Sequence, residues 1–403
     1  MKKKFFMIMK HSSVFGIISI LGIMLVASGC HNPKGSALSD FKIEVVPGED
    51  TLRVSDWFSS INEITLTGCV VGEINEVVRF GDHYYASGQF YDTDENGNTS
   101  ESQSLVSEFD EAGQLIKHLI KQGRGPEEML NVLAIKINPY NQCLEILGDY
   151  GQRLCRVDLS TSAFKGGFSI GETEIIVAEN FAPLSDGMYA FYKNLPYSEA
   201  EEYKVYVYDE AKSSVICCGI PLEKDIAELV SMVQKNNLFC FDDKVLFYEC
   251  FMNTMFEVKQ DTIAPFLTFA SNEYLFPETA LHENYRGLNE FVERCRESDW
   301  IWSHQNFYPL KEILISTYRY QNCRYINLID TEKKQSHSFR FVYEDIKYGL
   351  VLDTNDRWLS FVGSDNNEVI LAFDSFALNL VHERNNEEPE EDNGIFKLVT
   401  LAR

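Results

Sequence analysis

The sequence predicts an all-β protein, a six-bladed β-propeller whose four-stranded antiparallel blades carry short helical insertions. Short runs rich in Val, Ile, Phe and Tyr recur from about residue 62 to the C-terminus, separated by Gly, Asp and Asn. These runs group in fours with a period of roughly 50 residues, which is typical of propeller blades. The segment from Asp110 to Gln114 has the composition of a hairpin tip, in which Gly113 can adopt a positive φ.

The predicted strands form five groups, at residues 74–120, 132–170, 174–220, 237–270 and 312–343. We expect a last strand, residues 395–401, to pair with a strand near residues 64–67, because an open ring leaves unpaired strand edges. Residues 223–235, 278–298 and 368–383 have helical spacing instead, and we interpret them as insertions between or within blades.

A glycine-rich connector, GRGPEE from Gly123 to Glu128, follows the first group of strands. Gly123 and Gly125 allow backbone angles closed to other residues, and Pro126 stiffens the exit, where the chain crosses from an outer strand to the next inner strand. The connector and the repeat after it, up to Asp158, resemble those of NHL-type propellers. The alternative, a phosphate-binding loop, needs a following helix and usually a Lys, and the sequence indicates neither.

The N-terminus predicts where the protein resides. Four lysines precede an apolar run at residues 14–26, and Ala27, Ser28 and Gly29 lead directly into Cys30. This pattern resembles the bacterial lipoprotein signal, which implies cleavage before Cys30 and acylation of its thiol. A plain secretory signal and a membrane anchor are the alternatives, but the apolar run is short for a spanning helix.

The sequence therefore predicts three parts: a signal peptide at residues 1–29, a tether at residues 30–50 and a propeller domain at residues 51–403. The lipid signal and the repeat together are similar to those of six-bladed, NHL-like β-propeller lipoproteins of anaerobic gut Gram-negative bacteria. The resemblance implies a lipid-anchored protein of the cell envelope, at the outer membrane. It implies no settled ligand.

Composition restricts the partners. The chain has 36 basic and 61 acidic residues, a net charge of −25, and four of the lysines belong to the signal. Such an acidic chain excludes nucleic acid and anionic lipid headgroups as partners, since both require a basic patch. Nine cysteines besides Cys30 have irregular spacing without a zinc motif, and one or two disulfides remain open.

Asp92, Asp94 and Asn96 fit the start of a calcium loop, with Gly97 at the sharp turn. Alternate oxygens in this pattern can point at one Ca²⁺ ion, so these residues are the candidate metal ligands. The competing interpretation, which the sequence favours, is a solvated hairpin tip that uses Asn96-Gly97 as its turn.

Two features of the sequence would fit an enzyme. Residues 167–171 fit GxSxG, but that motif requires a strand–turn–helix, and a strand pattern resumes after Glu174. The histidines occur singly, yet histidines and acidic residues from several inner strands can meet at a propeller axis, where a metal-dependent hydrolase or lyase would have its site.

The sequence thus predicts a binding or scaffold module without catalytic residues, for a protein, peptide or glycan partner. The membrane is contacted through the N-terminal lipid alone. We expect the helical insertions to flank the partner surface, because loops vary without disturbing the blades that carry them.

Overall fold

The computed structural model describes residues 41–403 except residues 49, 94–98, 198–200, 231–235, 271, 348, 356–359, 366 and 374–395. In chain order the strands are β1 (Lys42–Ile43), β2 (Thr51–Arg53), β3 (Ser60–Thr65), β4 (Val70–Phe80), β5 (His83–Thr93), β6 (Thr99–Phe109), β7 (Leu115–Gln122), β8 (Glu128–Met129), β9 (Val132–Asn138), β10 (Cys143–Gly148), β11 (Arg153–Asp158), β12 (Phe164–Ser169), β13 (Asn180–Ser185), β14 (Met188–Tyr192), β15 (Tyr203–Asp209), β16 (Ser214–Pro221), β17 (Leu238–Phe241), β18 (Lys244–Phe247), β19 (Thr254–Val258), β20 (Ile263–Phe269), β21 (Ile301–Leu310), β22 (Ile313–Tyr320), β23 (Cys323–Asp330), β24 (Gln335–Phe339), β25 (Phe341–Glu344), β26 (Leu350–Asp353), β27 (Ser360–Ser364), β28 (Glu368–Phe373) and β29 (Lys397–Ala402). The α-helices are α1 (Ala227–Val230) and α2 (Leu288–Glu297), and 3-10 turns lie at Val54–Asp56 and Glu278–His282.

The described strands form seven sheets, which we number as blades in chain order. Blade 1 holds β4–β8, blade 2 β9–β12, blade 3 β13–β16, blade 4 β17–β20 with β1, and blade 5 β21–β24. Blade 6 holds β25 and β26 with β2, and blade 7 holds β27–β29 with β3. Within each blade consecutive strands are antiparallel, while β1, β2 and β8 join their sheets in parallel.

Hydrophobic cores between neighbouring blades hold the ring together. One such core, between blades 7 and 1, joins Leu398 and Ile370 to Val77 and Phe90. Further cores lie between blades 1 and 2, 2 and 3, 3 and 4, and 4 and 5. Another is shared by blades 5, 6 and 7. Most blade surface is therefore buried against another blade, and strands such as β10 are buried along their whole length.

The ends of the chain close the ring in blade 7. The C-terminal strand β29 pairs antiparallel with the N-terminal strand β3, with Leu398 opposite Ile64 and Leu401 opposite Ile61. The prediction that the last strand pairs near residues 64–67 is confirmed. In this pairing β29 lies between β28 and β3 and has hydrogen-bond partners on both sides, while β3 is the outer strand of the blade.

The predicted number of blades is wrong: seven are found, not six. The run at residues 336–343, which we expected to be one strand, is broken at Arg340 into β24 of blade 5 and β25 of blade 6. The Arg340 guanidinium pairs with Asp353 of β26, and the Arg340 backbone N–H donates to Asp50 O at 3.3 Å. The third strand of blade 6 is β2, which comes from the distant N-terminal part of the chain. A periodic pattern along the chain could not reveal a sheet assembled in this way.

The helical insertions are confirmed only in part. The first predicted helix contains α1, but residues 231–235 lie outside the described part of the chain. The second contains a 3-10 turn, Glu278–His282, followed by α2. Helix α2 buries Phe291 and Cys295 against Phe251 and Phe276, so this insertion has a small core of its own.

The third predicted helix, residues 368–383, is wrong at its start, where the chain forms β28. Strand β28 lies between β27 and β29 and its residues are mostly buried, so it reads as a continuous apolar run rather than an alternating one. The rest of that prediction, from residue 374, lies outside the described residues. In the predicted tether, Lys42–Ile43 form strand β1 at the outer edge of blade 4.

The glycine-rich connector joins the outer part of blade 1 to the inner strand of blade 2, as predicted. The reason for its glycines differs from the expected one, because neither has a positive φ. The Glu128 carboxylate accepts the Gly125 N–H at 2.7 Å, and a Cβ on Gly123 would lie 2.0 Å from Glu128 Oε2. A side chain at position 123 would displace the Glu128 carboxylate from this contact. At the hairpin tip, Gly113 does have a positive φ of 84°.

Ring closure predicts a stability effect at Leu398. Replacing this fully buried side chain with alanine leaves a cavity between blades 7 and 1, and should cost about 2–5 kcal/mol of unfolding free energy. Denaturant unfolding measures the loss. The control is Ile116→Ala on the exposed side of β7, which should cost less than about 1 kcal/mol. Equal losses in the two variants would contradict a closed, packed junction.

Candidate functional site

A cavity of about 190 Å³ lies on the axis of the ring. Its walls come from the innermost strands of blades 1–5 and 7 and from Asn236, which precedes β17. None of the described residues of blade 6 lines it. The residues with polar side chains in its wall are Glu76, Arg79, Lys136, Asn236, Cys240, Tyr308, Ser364 and Asp365.

A chain of polar contacts crosses this cavity. Lys136 Nζ of blade 2 donates to Glu76 Oε1 of blade 1 at 2.8 Å and to Asn236 Oδ1 at 3.3 Å. Glu76 Oε2 also accepts the Ile135 N–H at 2.9 Å. The Asn236 amide in turn donates to the carbonyl of Phe307 in blade 5. The charges of Glu76 and Lys136 therefore neutralise each other, and the network ties four blades together.

Two further polar groups of the wall, on Arg79 and Tyr308, are also paired. Arg79 Nη1 contacts Glu368 Oε1 at 2.9 Å, and the Tyr308 hydroxyl donates to Phe361 O at 2.8 Å. Burial raises the pKa of the Tyr308 hydroxyl, with the Glu76 charge adding to the effect. The surrounding protein also raises the pKa of the Cys240 thiol, more than the Lys136 charge lowers it, although Cys240 is exposed in the wall of the cavity. Neither group is a ready nucleophile at neutral pH, because both are held in the protonated form.

Among the residues that the structure describes, no group of three metal-ligating side chains lies on the axis. Within the described residues, the one group of three ligand-bearing side chains lies in the insertions and consists of Glu223, Asp225 and His282. His282 Nε2 lies 3.6 Å from Glu223 Oε2, and its Nδ1 lies 3.4 Å from Asp225 Oδ2. All three side chains are exposed, and the contacts between the imidazole and the carboxylates account for their approach.

The candidate calcium residues and the lipidation site stay predictions. Asp92 lies near the end of β5, with its Oδ1 3.0 Å from His118 Nε2. Asp94, Asn96 and Cys30 lie outside the described residues. No disulfide joins any of the nine described cysteines. None of the described helices is long and apolar enough to cross a membrane.

The GxSxG match lies in the wrong context for a hydrolase. Ser169 ends β12, the outer strand of blade 2, and the chain continues through turns rather than a helix. A Cβ on Gly167 would lie 2.0 Å from Leu154 O, so this glycine serves the pairing of β12 with β11. The expectation that the motif is a chance match agrees with this arrangement.

The connections between strands divide between the two faces of the ring. Because strands alternate in direction, the connection from one blade to the next emerges on the same face as the turn between the second and third strands of each blade. This insertion face carries the two longest described connections, at residues 222–237 and 270–300, and with them α1 and α2. The opposite face carries short turns such as the one at Tyr140.

Sequence reasoning missed the axial residues. Glu76, Lys136 and Asn236 stand far apart in the sequence, and each alone resembles an ordinary strand or loop residue. The aromatic residues Phe307 and Tyr308 of the inner strand of blade 5 are buried between blades. Their use is packing.

Comparison with known proteins assigns the chain to a family. The model of the family DUF4934, a domain of unknown function, matches residues 40–402. The chain belongs to the DUF4934 family. No curated protein matches it. The family match leaves the NHL-like resemblance and the lipoprotein assignment as predictions.

One solved structure shares the fold of this DUF4934 protein, and two others are less similar. A candidate exported protein of Bacteroides fragilis NCTC 9343 is 14% identical, with 90% of this chain and 99% of that chain covered and a TM-score of 0.64. A member of the DUF4221 family from Bacteroides vulgatus is 11% identical, with 86% and 96% covered and a TM-score of 0.47. The β-propeller domain of Cps50 (Swd1) from Myceliophteria thermophila is 8% identical, with 83% and 100% covered and a TM-score of 0.38.

The buried histidine of the inner strand of blade 5 predicts a pH dependence of stability. Burial lowers the pKa of His304 to about 3, whereas an unfolded histidine titrates near pH 6.5. Below pH 6.5 the unfolded state therefore binds the extra proton. Unfolding free energy should fall by about 1.4 kcal/mol per pH unit once the pH is well below 6.5, until the folded pKa is reached.

Denaturant unfolding between pH 7.5 and 4.5 measures this dependence. His304→Gln should flatten it, since the amide can still pair with Ser316 Oγ, which lies 2.9 Å from His304 Nε2. The control is His337→Gln at an exposed position, which should leave the slope of the wild type. A variant at position 304 with an unchanged slope would show that another group controls the acid sensitivity.

Proposed function

We propose that this DUF4934 protein is a lipid-anchored, non-enzymatic binding module of the Gram-negative cell envelope. It engages a protein, peptide or glycan partner through the insertion face of the ring. The observation that carries the proposal is the segregation of the long connections to one face of a closed, multiply packed ring. A rigid ring holds such connections in fixed positions, which lowers the entropic cost of binding.

The axial cavity supports binding rather than catalysis. Its carboxylate, ammonium and amide groups are engaged with one another across blades. A catalytic site would need a group with an activating partner beside an open position for substrate. The alternative function, a metal-dependent hydrolase or lyase at the axis, would be favoured if the purified protein hydrolysed a lactone or ester in a metal-dependent way.

The lipid anchor rests on the sequence before Cys30. A lipid-anchored domain needs no basic surface to remain at the membrane, which fits the net charge of −25. The candidate exported protein from Bacteroides fragilis, which has the same fold, is consistent with an envelope location.

The anchor predicts a shift in fractionation. Cys30→Ala removes the thiol that would be acylated, so the protein should move from the membrane fraction to the soluble fraction and lose label from radioactive palmitate. The control is Cys69→Ala, which changes a different thiol and should leave the protein in the membrane fraction. A membrane-bound Cys30→Ala protein would exclude the lipoprotein assignment.

Partner binding is best tested with surface substitutions rather than by deleting the second insertion. That insertion buries Phe291 and Cys295, so its removal would expose the core of its neighbours. Leu288→Glu changes an exposed position of α2 on the insertion face, and Tyr140→Glu changes an exposed position on the opposite face. Glycan and peptide arrays probed with the purified protein should show ligands whose signal falls in the first variant or in other insertion-face variants, and persists in the second. Loss of the signal only with Tyr140→Glu would contradict the proposed face.

A further inference from the structure

Two loops of the insertion face meet above blades 2 and 3 around a buried ion pair. Lys193 Nζ, at the end of β14, donates to Glu202 Oε1 at 2.5 Å and to the carbonyl of Ile175 at 3.4 Å. The second oxygen of Glu202 accepts the Tyr197 N–H at 2.9 Å. The Lys193 side chain is 1% exposed, so the pair acts as a fixed internal clamp between the loop of Tyr197 and the connection that holds Ile175.

The clamped connection holds a strained backbone. The Val177 N–H donates to Ile175 O at 2.8 Å, which closes a three-residue turn around Ile176. Ile176 has a φ of 68°, a conformation that a β-branched residue adopts only at a cost. Its side chain is nevertheless exposed rather than used for packing. Strain kept at an exposed position points to a role in recognition rather than in stability.

Exposed apolar side chains surround this turn. The Ala178 N–H donates to Gly151 O at 3.0 Å, which brings the turn of Tyr150 against the connection of Ile176. Tyr150 is 63% exposed and Tyr197 is 47% exposed. One face of the Tyr197 ring lies over Lys193 Nζ, at 4.9 Å from the ring centroid. We call Tyr150, Ile176 and Tyr197 the apolar patch.

A carboxylate at the patch lacks a countercharge. Glu179 is half-buried, and no described residue pairs with its carboxylate. The Glu179 backbone N–H donates to Tyr192 O at 2.8 Å, next to Lys193, which places Glu179 beside the loop of Tyr197. Burial and, after it, the Glu179 charge raise the pKa of the Tyr197 hydroxyl. The nearby cation, Lys193, is already committed to Glu202. The exposed side chains of Glu172, Glu174 and Glu201 add further negative charge to the same connections.

From this arrangement we propose that the apolar patch and Glu179 bind a segment of a partner protein that presents a Lys or Arg beside apolar residues. The cation of that segment pairs with Glu179 and lies against the open face of Tyr197, while its apolar neighbours cover Ile176 and Tyr150. Charge complementarity selects this occupant, because an acidic ligand would meet uncompensated repulsion. The inference rests on the proposed function and names its partner class.

The probe is a phage-displayed library of random twelve-residue peptides, selected on the purified full-length protein in detergent. Enriched peptides should carry Lys or Arg next to Leu, Ile or Phe. Titration calorimetry with the enriched peptides should show binding about tenfold weaker in Glu179→Gln and in Tyr197→Ala. The control Glu111→Gln removes the same charge from a turn on the opposite face, and should leave the affinity unchanged.

A second variant tests whether a loss of peptide affinity results from misfolding. Ile176→Gly removes the strained side chain, so its thermal midpoint should equal or exceed that of the wild type while its peptide affinity falls. Peptides that bind all variants equally, that carry acidic residues, or that fail to be enriched would overturn the inference. If binding depends on Leu288 of α2 but not on Glu179 or Tyr197, the inference fails and the proposed function of the insertion face stands.

Discussion

Ring closure is the constraint on which the rest of this structure depends. Strands β29 and β3 lie more than three hundred residues apart in the sequence. They can pair only if the intervening blades together complete one full turn around the axis. Once closed, each inner strand has packed neighbours on both sides. The axial contacts among Glu76, Lys136 and Asn236 then join side chains that lie far apart in the sequence.

The same constraint explains where variation is tolerated. Connections on the insertion face can lengthen without changing the closure of the ring, since their ends are fixed by strands that are already packed. Helix α2 is an example: the connection that contains it forms a small core around Phe291, and the blades on either side keep their places in the ring. Other connections are held in place instead: the buried ion pair between Lys193 and Glu202 fixes two loops of the same face that could otherwise move.

Much of the fold could be predicted from the sequence, because β-strands with alternating burial and glycine turns leave a periodic pattern. The strand groups, the blade connector and the pairing of the last strand were found in this way. Blade 6 was missed because Arg340 interrupts what reads as one strand and β2 arrives from a distant segment. Strand β28 was taken for a helix because burial on both faces removes the alternation. The candidate site could not be predicted from the sequence, because residues from separate blades converge only after the ring has closed.

A direct measurement can test the central claim that partners bind to the insertion face of a closed ring. A photo-reactive phenylalanine analogue would replace Tyr197 or Tyr140, exposed tyrosines on opposite faces, in the cells that produce the protein. The account predicts discrete crosslinked adducts from position 197 and none from position 140. Adducts from position 140 alone would contradict it.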